Sequence, residues 1–384
     1  MKILCTGGSG FIGSYLTDLL NREGFEIFII DNLFEQIHGK DKYNSYLFKS
    51  IIEKANFFKE NIVHSKSLKS LIGQVDFIIH LAAETGTGQS MYEVFNYVRT
   101  NSLGTANILE HLIKNKNNVK KFILASSRTV YGEGKYMCPE HGIVYPDYRD
   151  INDLERGEFE CKCLFCNKDL EPLATDEESK ISPKSIYGIS KYNQEQLVKS
   201  ICENIHIPYS IFRFQNVYGK GQSIKNPYTG IMSVFSNLLL ENKRIEVFED
   251  GLESRDFVHA SDVAAAIYLD LSSDHKNQIY NVGSGKRTRI IDIIKMFENI
   301  APNPPLYEVS GSFRIGDIRH NFADITKIST LLGFQPKISL NDGLSEIIDW
   351  IGNLHKDSIV RKYESSIREM KKLNLFIEKK IIEK

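Results

Sequence analysis

The segment "SIYGISKYNQE" places Tyr187 four residues before Lys191. In a helix this spacing puts both side chains on one face. A free tyrosine has a pKa near ~10 and is a poor base at neutral pH. A neighbouring ammonium favours the phenolate, and lowering the pKa by about three units requires roughly 4 kcal/mol of preferential stabilisation. The spacing therefore predicts a tyrosine that removes a proton from a hydroxyl group.

A pair of serines makes this interpretation more specific, because Tyr-x-x-x-Lys alone is common on surface helices. The run "ILASSRTVYG" ends an apolar segment with Ser126 and Ser127. Hydroxyl groups at the carboxyl end of a strand face the crevice where α/β folds bind ligands. We expect one of these serines to hydrogen-bond the reacting oxygen.

A glycine-rich turn lies at the start of the chain. Gly8, Gly10 and Gly13 form G-x-G-x-x-G between an apolar run and a helical pattern, and Asp31 ends the next apolar run. The glycines let a pyrophosphate approach the backbone at a helix N-terminus. An acidic residue at the position of Asp31 accepts hydrogen bonds from a ribose 2′-hydroxyl and repels a 2′-phosphate. The pattern predicts NAD as the cofactor, in preference to NADP.

These residues need a parallel sheet to bring them together. Five short apolar runs alternate with helical patterns: "KILCTGG", "FEIFIIDNL", "VDFIIHLAA", "VKKFILASS" and "IPYSIFRF". Alternation of this kind predicts an α/β fold with a doubly wound parallel sheet, the Rossmann arrangement, covered by helices on both faces. A chain of 384 residues is long enough for two domains, or for one domain with insertions.

Four of the six cysteines lie between Cys138 and Cys166. Cys138 and His141 form C-x-x-H, and Cys163 and Cys166 form C-x-x-C, which suits a tetrahedral structural zinc site. The segment has few large apolar residues, so a bound metal or another cross-link is needed to stabilise its fold. Cys161 could replace Cys163 with poorer spacing. The alternative is a loop with reduced, unpaired cysteines.

The bulk properties exclude some classes of function. The formal net charge is −1, which gives no electrostatic basis for binding nucleic acid or a membrane surface. No apolar run approaches the roughly 18 to 20 residues that span a bilayer. The start "MKILCTGGSGFIGS" has no signal-peptide pattern. We expect a cytoplasmic, reducing compartment.

A series of motifs, in order, covers residues 1 to about 352 and resembles the extended short-chain dehydrogenase/reductase family. The branch is that of the NAD-dependent nucleotide-sugar epimerases and dehydratases. The motifs are "TGGSGFIG", "HLAA", "SSRTVYG", "YGISK", "RFQNVYGKGQ", "SRDFVHASDVA", "YNVGSG" and "RIGDIRHNFADITK". The resemblance implies NAD, a nucleotide-sugar substrate and a homodimer formed by helices of the nucleotide-binding domain.

The resemblance also implies a role for individual residues, carried over by position. The catalytic residues would be Ser127, Tyr187 and Lys191. The cofactor would be bound, together with Tyr187 and Lys191, by Gly7, Gly10, Phe11, Ile12, Gly13, Asp31, Asn32, Asn61, Leu81, Ala82, Ala83 and Asn101. The substrate would be bound, together with Ser127, by Asn216, Asn226, Phe248, Arg255, Arg314 and Asp317. Asn61 stands where the family often has an aspartate near adenine.

The same family includes 4-epimerases, 4,6-dehydratases and 4-reductases. A dehydratase needs an Asp-Glu pair directly after the catalytic serine, where this chain has Arg128 and Thr129. An arginine is not a useful proton donor. We therefore expect a 4-epimerase. The cysteine-containing segment resembles that of the dTDP-L-rhamnose 4-epimerase group, and UDP-hexoses remain the alternative substrates.

The predicted organisation has three parts. Residues 1–215 form the NAD-binding domain, with the zinc-binding insertion at 133–178, and residues 216–352 form a smaller nucleotide-sugar-binding domain. Residues 353–384 form a charged helical tail that lies solvated on the body or, alternatively, binds a partner.

Overall fold

The computed structural model describes residues 1–223, 230–301, 303–353 and 360–379. The strands are β1 Lys2–Thr6, β2 Glu26–Asp31, β3 Asn56–Lys59, β4 Phe77–His80, β5 Lys121–Ser127, β6 Tyr136–Cys138, β7 Gly142–Val144, β8 Glu171–Pro172, β9 Tyr209–Phe214, β10 Asn216–Tyr218, β11 Ile245–Val247, β12 Ser254–Arg255, β13 Phe257–His259, β14 Gln278–Val282, β15 Thr288–Arg289, β16 Tyr307–Val309, β17 Phe313–Arg314, β18 His320–Asn321 and β19 Phe376–Ile377.

The α-helices are α1 Phe11–Arg22, α2 Glu35–His38, α3 Tyr46–Ile51, α4 Leu68–Ile72, α5 Thr87–Ser90, α6 Val94–Tyr97, α7 Gly104–Lys114, α8 Ile151–Arg156, α9 Ile186–Asn204, α10 Ile231–Leu240, α11 Ala260–Leu271, α12 Ile290–Ile300, α13 Thr326–Leu332, α14 Leu340–Gly352 and α15 Val360–Lys372. A π-helical segment, Val98–Leu103, joins α6 to α7.

A seven-stranded sheet forms the centre of the fold, in the order β14-β9-β5-β4-β1-β2-β3. Every neighbouring pair is parallel. This confirms the predicted Rossmann-like fold, and the five predicted apolar runs are β1, β2, β4, β5 and β9. The two strands that the pattern did not predict, β3 and β14, lie at the edges of the sheet.

The strand order reverses beside β1, whose neighbours are β2 and β4. In open α/β sheets the ligand crevice lies at such a reversal, at the carboxyl ends of the strands. Gly7 follows β1 with a φ of +74°, and a Cβ atom there would lie 2.6 Å from the backbone nitrogen of Ala82, just after β4. A side chain at this position would therefore block the approach of the turn to the end of β4.

The second half of the chain builds a smaller core from short elements. Its buried apolar residues come from α10, α12, α14, β10, β11 and β13. The strand β14 returns from this half to the central sheet, beside β9. The division into domains at residue 215 therefore stays a prediction.

The predicted insertion contains an antiparallel sheet in the order β7-β6-β8 and the short helix α8. Buried charges join it to the body. Arg149 donates from Nη2 to Glu249 at 2.8 Å. The fully buried Arg319 contacts Glu160 of the insertion at 2.6 Å and Asp250 at 2.7 Å. Separation of the insertion from the body would leave buried charges in this network without their partners, which is energetically costly. The network therefore holds the insertion in one position on the body.

The tail contains the predicted helix, α15, followed by a strand that the pattern did not predict. This strand, β19, pairs antiparallel with β17. Ile367, Met370 and Phe376 of the tail are buried. Among the described residues no helix is both long and apolar enough to cross a bilayer.

Candidate active site

The predicted catalytic side chains lie at the start of α9 and the end of β5. The helix begins after Ser185, whose hydroxyl accepts a hydrogen bond from the Gly188 amide at 3.1 Å. Lys191 follows Tyr187 by one helical turn, and both line one cavity. Lys191 Nζ donates to the carbonyl oxygen of Ala125 in β5 at 2.9 Å. Ser127, at the end of β5, lies close enough to Tyr187 to lower the pKa of the tyrosine hydroxyl, so the structure brings the three predicted catalytic residues together.

The cavity has a volume of about 530 Å³ and extends from the glycine turn to the smaller half of the chain. Eleven of the predicted cofactor residues line it together with Tyr187 and Lys191: Gly7, Gly10, Phe11, Ile12, Gly13, Asp31, Asn32, Asn61, Leu81, Ala82 and Ala83. The Asp31 carboxylate accepts hydrogen bonds from the amides of Ser9, at 3.2 Å, and Leu33, at 2.9 Å. It therefore lies at the end of β2, facing the cavity from beside the glycine turn.

Asn101 lies behind the cavity wall. Its side chain is fully buried and donates to the Ser190 hydroxyl at 2.9 Å. It also accepts from the amide of Glu84 at 2.8 Å. Among the described lining residues neither Asn101 nor Ser127 contributes to the cavity surface. Asn101 therefore acts on the cavity through the segment after β4, which it holds against α9.

The opposite end of the cavity is positively charged. Arg255 donates to the Asp317 carboxylate at 3.2 Å and to the Ile318 carbonyl at 2.7 Å. The Arg314 guanidinium lies 4.9 Å from the centroid of the Phe248 ring. Its Nε atom is buried and has no hydrogen-bond partner among the described residues. An anionic oxygen would satisfy this donor, as the predicted diphosphate contact requires.

Two further predicted substrate residues, Asn216 and the carboxylate Asp317, lie at this end. Asn216 lines the cavity and accepts from Arg128 Nε at 2.9 Å. Burial favours the neutral form of Asp317, but Arg255 and the other surrounding arginines hold its pKa below the usual value. Asp317 therefore stays ionised and balances part of the positive charge. Asn226 lies outside the described residues.

The cysteine–histidine cluster of the insertion has the dimensions of a metal site. The ligand atoms of Cys138, His141, Cys163 and Cys166 all lie within 4.8 Å of one another. Cys138 Sγ is 3.4 Å from His141 Nδ1 and 3.6 Å from Cys166 Sγ. Tetrahedral zinc with ordinary bond lengths places two sulfurs about 3.8 Å apart, and a sulfur and a nitrogen about 3.6 Å apart. The four residues fit zinc.

Cys161 is not part of this cluster. It is fully buried, and its thiol donates to the Tyr136 hydroxyl at 3.5 Å. Cys163 Sγ, in contrast, lies 3.7 Å from His141 Nδ1. Of the two cysteines that the sequence offered as a ligand, Cys163 is therefore the one in the cluster.

Comparisons with known proteins agree with this geometry. A family model described as GDP-mannose 4,6 dehydratase matches residues 4–147, and one described as NAD dependent epimerase/dehydratase family matches residues 163–283. The chain is 37% identical over 355 residues to dTDP-L-rhamnose 4-epimerase of Burkholderia thailandensis, a match that covers 91% of this chain and 94% of the relative. The chain belongs to the NAD-dependent epimerase/dehydratase family.

Solved structures of this family match most of the chain. A UDP-glucuronic acid 4-epimerase of Bacillus cereus, in complex with UDP-glucuronic acid and NAD, has a TM-score of 0.75 at 28% identity, and the match covers 92% of this chain and 100% of that one. A UDP-glucose 4-epimerase of Thermotoga maritima, with UDP-glucose, has a TM-score of 0.73 at 27% identity and covers 92% and 99%. The predicted extended short-chain dehydrogenase/reductase family and the predicted enzyme class, a NAD-dependent nucleotide-sugar epimerase, are confirmed.

The electrostatics of this epimerase/dehydratase site differ in one respect from the sequence-based expectation. Burial raises the pKa of Tyr187, opposed by the hydrogen bond to Ser127 and the charge of Arg128. Burial lowers the pKa of Lys191 to about 7, opposed by Glu195. The lysine therefore does not by itself lower the pKa of the tyrosine, because burial weakens its own charge. NAD+, if bound beside Tyr187, would add the positive charge of its nicotinamide ring, which favours the phenolate.

Among the lining residues that had no predicted catalytic or binding role, three have distinctive chemistry or an unexpected origin. Arg128 lines the cavity, burial and nearby Arg255 lower its pKa to about 9, and its Nε donates a hydrogen bond to Asn216. Burial raises the pKa of Glu84 to about 7. Met370 reaches the cavity from the tail. The motifs "SSRTVYG" and "HLAA" could have pointed to the first two, but no local signal points to Met370.

Proposed function

We propose that this enzyme inverts C4 of a nucleotide-linked sugar, and that the sugar is dTDP-L-rhamnose, giving dTDP-6-deoxy-L-talose. The observation that carries the proposal is the shared cavity. Its lining includes both Tyr187 and Lys191, the proposed proton-transfer residues, and Arg255 and Arg314, the proposed diphosphate ligands. The 37% identity to a dTDP-L-rhamnose 4-epimerase supports the choice of sugar.

Different residues of the chain carry out proton transfer, orientation of the base and binding of the substrate. NAD+, when bound by the glycine turn and Asp31, accepts the hydride from C4 and later returns it. Tyr187 removes the proton of the C4 hydroxyl, and Ser127 orients the tyrosine by a hydrogen bond. Arg255 and Arg314 hold the diphosphate while the 4-keto sugar rotates, so that its opposite face is presented to the cofactor. Tyr187 then returns the proton to the oxygen, so atoms and charges balance over the cycle.

A 4,6-dehydratase also has to eliminate water across C5 and C6, which requires an added acid and base. The positions that supply them after the catalytic serine are Arg128 and Thr129. Arg128 lines the cavity with a guanidinium group that remains a cation at neutral pH. A cation near the diphosphate favours substrate binding and not elimination, which supports the epimerase over the dehydratase.

The test is proton NMR of dTDP-L-rhamnose, and separately of UDP-glucose, with the protein and catalytic NAD. We expect a C4 epimer of dTDP-L-rhamnose at equilibrium without net NADH. Conversion of UDP-glucose alone would replace the proposed sugar with a UDP-hexose. Formation of a 6-deoxy-4-keto sugar would contradict the epimerase, and no change in either sugar would remove the proposed substrate.

We also propose that the insertion binds one structural zinc ion through Cys138, His141, Cys163 and Cys166. Four protein ligands leave no open position, so the metal is structural and not catalytic. Metal analysis of the purified protein should give one zinc per chain. Cys163→Ser should lose the metal, whereas the matched control Cys161→Ser should retain it. Equal zinc content in both variants would contradict the proposed ligand set.

A homodimer is the third part of the proposal. Phe95, Leu103 and Ile189 are exposed apolar residues on the helical stretch 94–114 and on α9. Their exposed fractions, 73%, 54% and 51%, are high for large apolar side chains. Light scattering should give twice the chain mass, and Phe95→Asp should shift it toward the monomer. Ile143→Asp, at an exposed site in the insertion, is the control and should remain dimeric.

A further inference from the structure

The tail pairs with the strand that carries Arg314. Arg314 lies opposite Phe376, and Phe313 lies opposite Ile377 in the antiparallel register. The Ile315 amide also donates to the Leu375 carbonyl at 3.2 Å. The backbone on both sides of Arg314 is therefore hydrogen-bonded to the tail.

The tail also contacts the aromatic ring beneath Arg314. The Phe376 ring meets the Phe248 ring at a centroid distance of 5.1 Å and an angle of 65°. Buried Ile367, Met370 and Phe376 form one apolar cluster, against which Phe248 packs. Met370 is 3% exposed and still lines the cavity. The tail thus contributes one side chain to the cavity wall and fixes a second.

The insertion supports the other side of the same strand. Phe313 packs with Leu154 and Phe159 of the insertion, and Ile377 of the tail joins this cluster. Arg149 of the insertion donates to the Asp317 carbonyl at 2.9 Å. The strand with Arg314 is therefore enclosed by two segments that lie far from it in the sequence.

We propose that the tail is a fixed wall of the nucleotide end of the cavity and sets the affinity for the nucleoside diphosphate part of the substrate. Phe376 is a positioning residue for Arg314 and Phe248, and Met370 contacts the nucleotide. An arginine that is already held in its binding orientation loses less conformational freedom when the ligand arrives. The inference rests on the proposed function, because it takes the ligand of Arg314 to be a diphosphate.

The test is calorimetric titration of the full-length, NAD-loaded protein with dTDP, and with UDP and GDP as alternative probes. Phe376→Ala should weaken the binding of the preferred nucleoside diphosphate by about tenfold. Met370→Ala should weaken it by a smaller factor. Phe376→Leu, which keeps a buried apolar side chain, should restore most of the affinity. Leu373→Ala is the matched control, since Leu373 is exposed on the same segment.

The variants should change KM and leave kcat and the Kd of NAD unaltered. Equal dTDP affinity in Phe376→Ala and Leu373→Ala would overturn the inference, and the proposed function would stand. A loss of NAD binding in Phe376→Ala would also overturn it, because the tail would then support the whole fold. If the wild type bound none of the three nucleoside diphosphates, the proposed function itself would fail.

Discussion

The two ends of the cavity are built in different ways. At the cofactor end, the glycine turn, Asp31 and the start of α9 each belong to one short segment that continues a strand or opens a helix. At the nucleotide end, Arg314 is held by segments that are far apart in the sequence, and the Arg319–Glu160 contact joins residues separated by 159 positions. Local backbone geometry therefore builds the cofactor end, whereas side-chain contacts between distant segments build the nucleotide end.

The largest effect should come from the base at the cofactor end. Tyr187→Phe removes the proton acceptor and keeps the ring, so kcat should fall by roughly 10²- to 10⁴-fold. The affinity for dTDP should be unchanged, because the nucleotide end does not depend on this hydroxyl. Steady-state kinetics and dTDP titration measure the two quantities. Turnover within about tenfold of the wild type would rule out the assigned base.

At the nucleotide end, substitution of a buried arginine of the insertion tests how much the contacts between distant segments stabilise the protein. Arg149 has a side-chain exposure of 4% and pairs with Glu249 and Glu133. Arg149→Met removes the ion-pair partner of Glu133 and one of the two arginine partners of Glu249, the other being Arg319. The variant should lower the free energy of unfolding by about 3–5 kcal/mol. Chemical denaturation measures this loss.

The control for this variant is Arg156→Met in the same insertion. The Arg156 side chain is 57% exposed, and exposed ion pairs contribute about 0–1 kcal/mol. Equal destabilisation by both variants would mean that the buried charge network does not hold the insertion, and the contrast between the two ends would weaken.

A substitution in the glycine turn tests whether the cofactor end depends on local backbone geometry. A Cβ atom at Gly13 would lie 2.6 Å from backbone atoms of Gly8, so Gly13→Ala must displace α1 from the turn. We expect the Kd of NAD to rise by roughly a hundredfold with little change in dTDP affinity. Gly73→Ala is the control, since its new atom would make an ordinary contact at 3.6 Å. Unaltered NAD binding in Gly13→Ala would contradict a backbone-built cofactor end.

The last effect is absent at neutral pH and concerns the support of the cofactor end at low pH. His80, at the end of β4, contacts the hydroxyls of Thr6, at 2.6 Å, and Thr105, at 2.8 Å. Burial, and next the charge of Lys191, lower its pKa from 6.5 to about 3. Between these values the unfolded chain binds a proton that the folded chain does not, so stability is present above pH 6.5 and is lost as the pH falls toward 3.

The measurement is the free energy of unfolding against pH for the wild type and His80→Gln. In this range the wild-type slope should exceed that of the variant by about 1.4 kcal/mol per pH unit. His64→Gln, at an exposed histidine, should keep the wild-type slope. Identical slopes in all three proteins would show that His80 takes up its proton in the folded state.

The predictable part of the fold is the part with local signals. The five apolar runs predicted the inner strands, because a strand buried on both faces must be apolar throughout. The edge strand β3, "NFFK", is only partly buried, and its sequence is short and mixed. The strand β14 joins the sheet from a distant part of the chain. Neither carries the continuous apolar pattern that reveals an inner strand.

The candidate site shows the same limit. Tyr187 and Lys191 could be paired from spacing alone, because a helix fixes the relation of residues four apart. The role of Asn101 behind the wall could not be inferred, because it depends on the position of Ser190 in a different helix. Met370 had no signal, since the tail reaches the cavity only through the pairing of β19 with β17.

The inner strands, the glycine turn, the Tyr–Lys spacing and the two pairs of zinc-ligand candidates could all be predicted from the amino-acid sequence. Each of them depends on residues within one turn or one strand. Tertiary packing was needed to show that Cys163 and not Cys161 faces His141, that Met370 of the tail lines the cavity, and that burial raises the pKa of Tyr187. Burial and contacts between distant segments are set by the packing of the whole chain, and no local pattern encodes them.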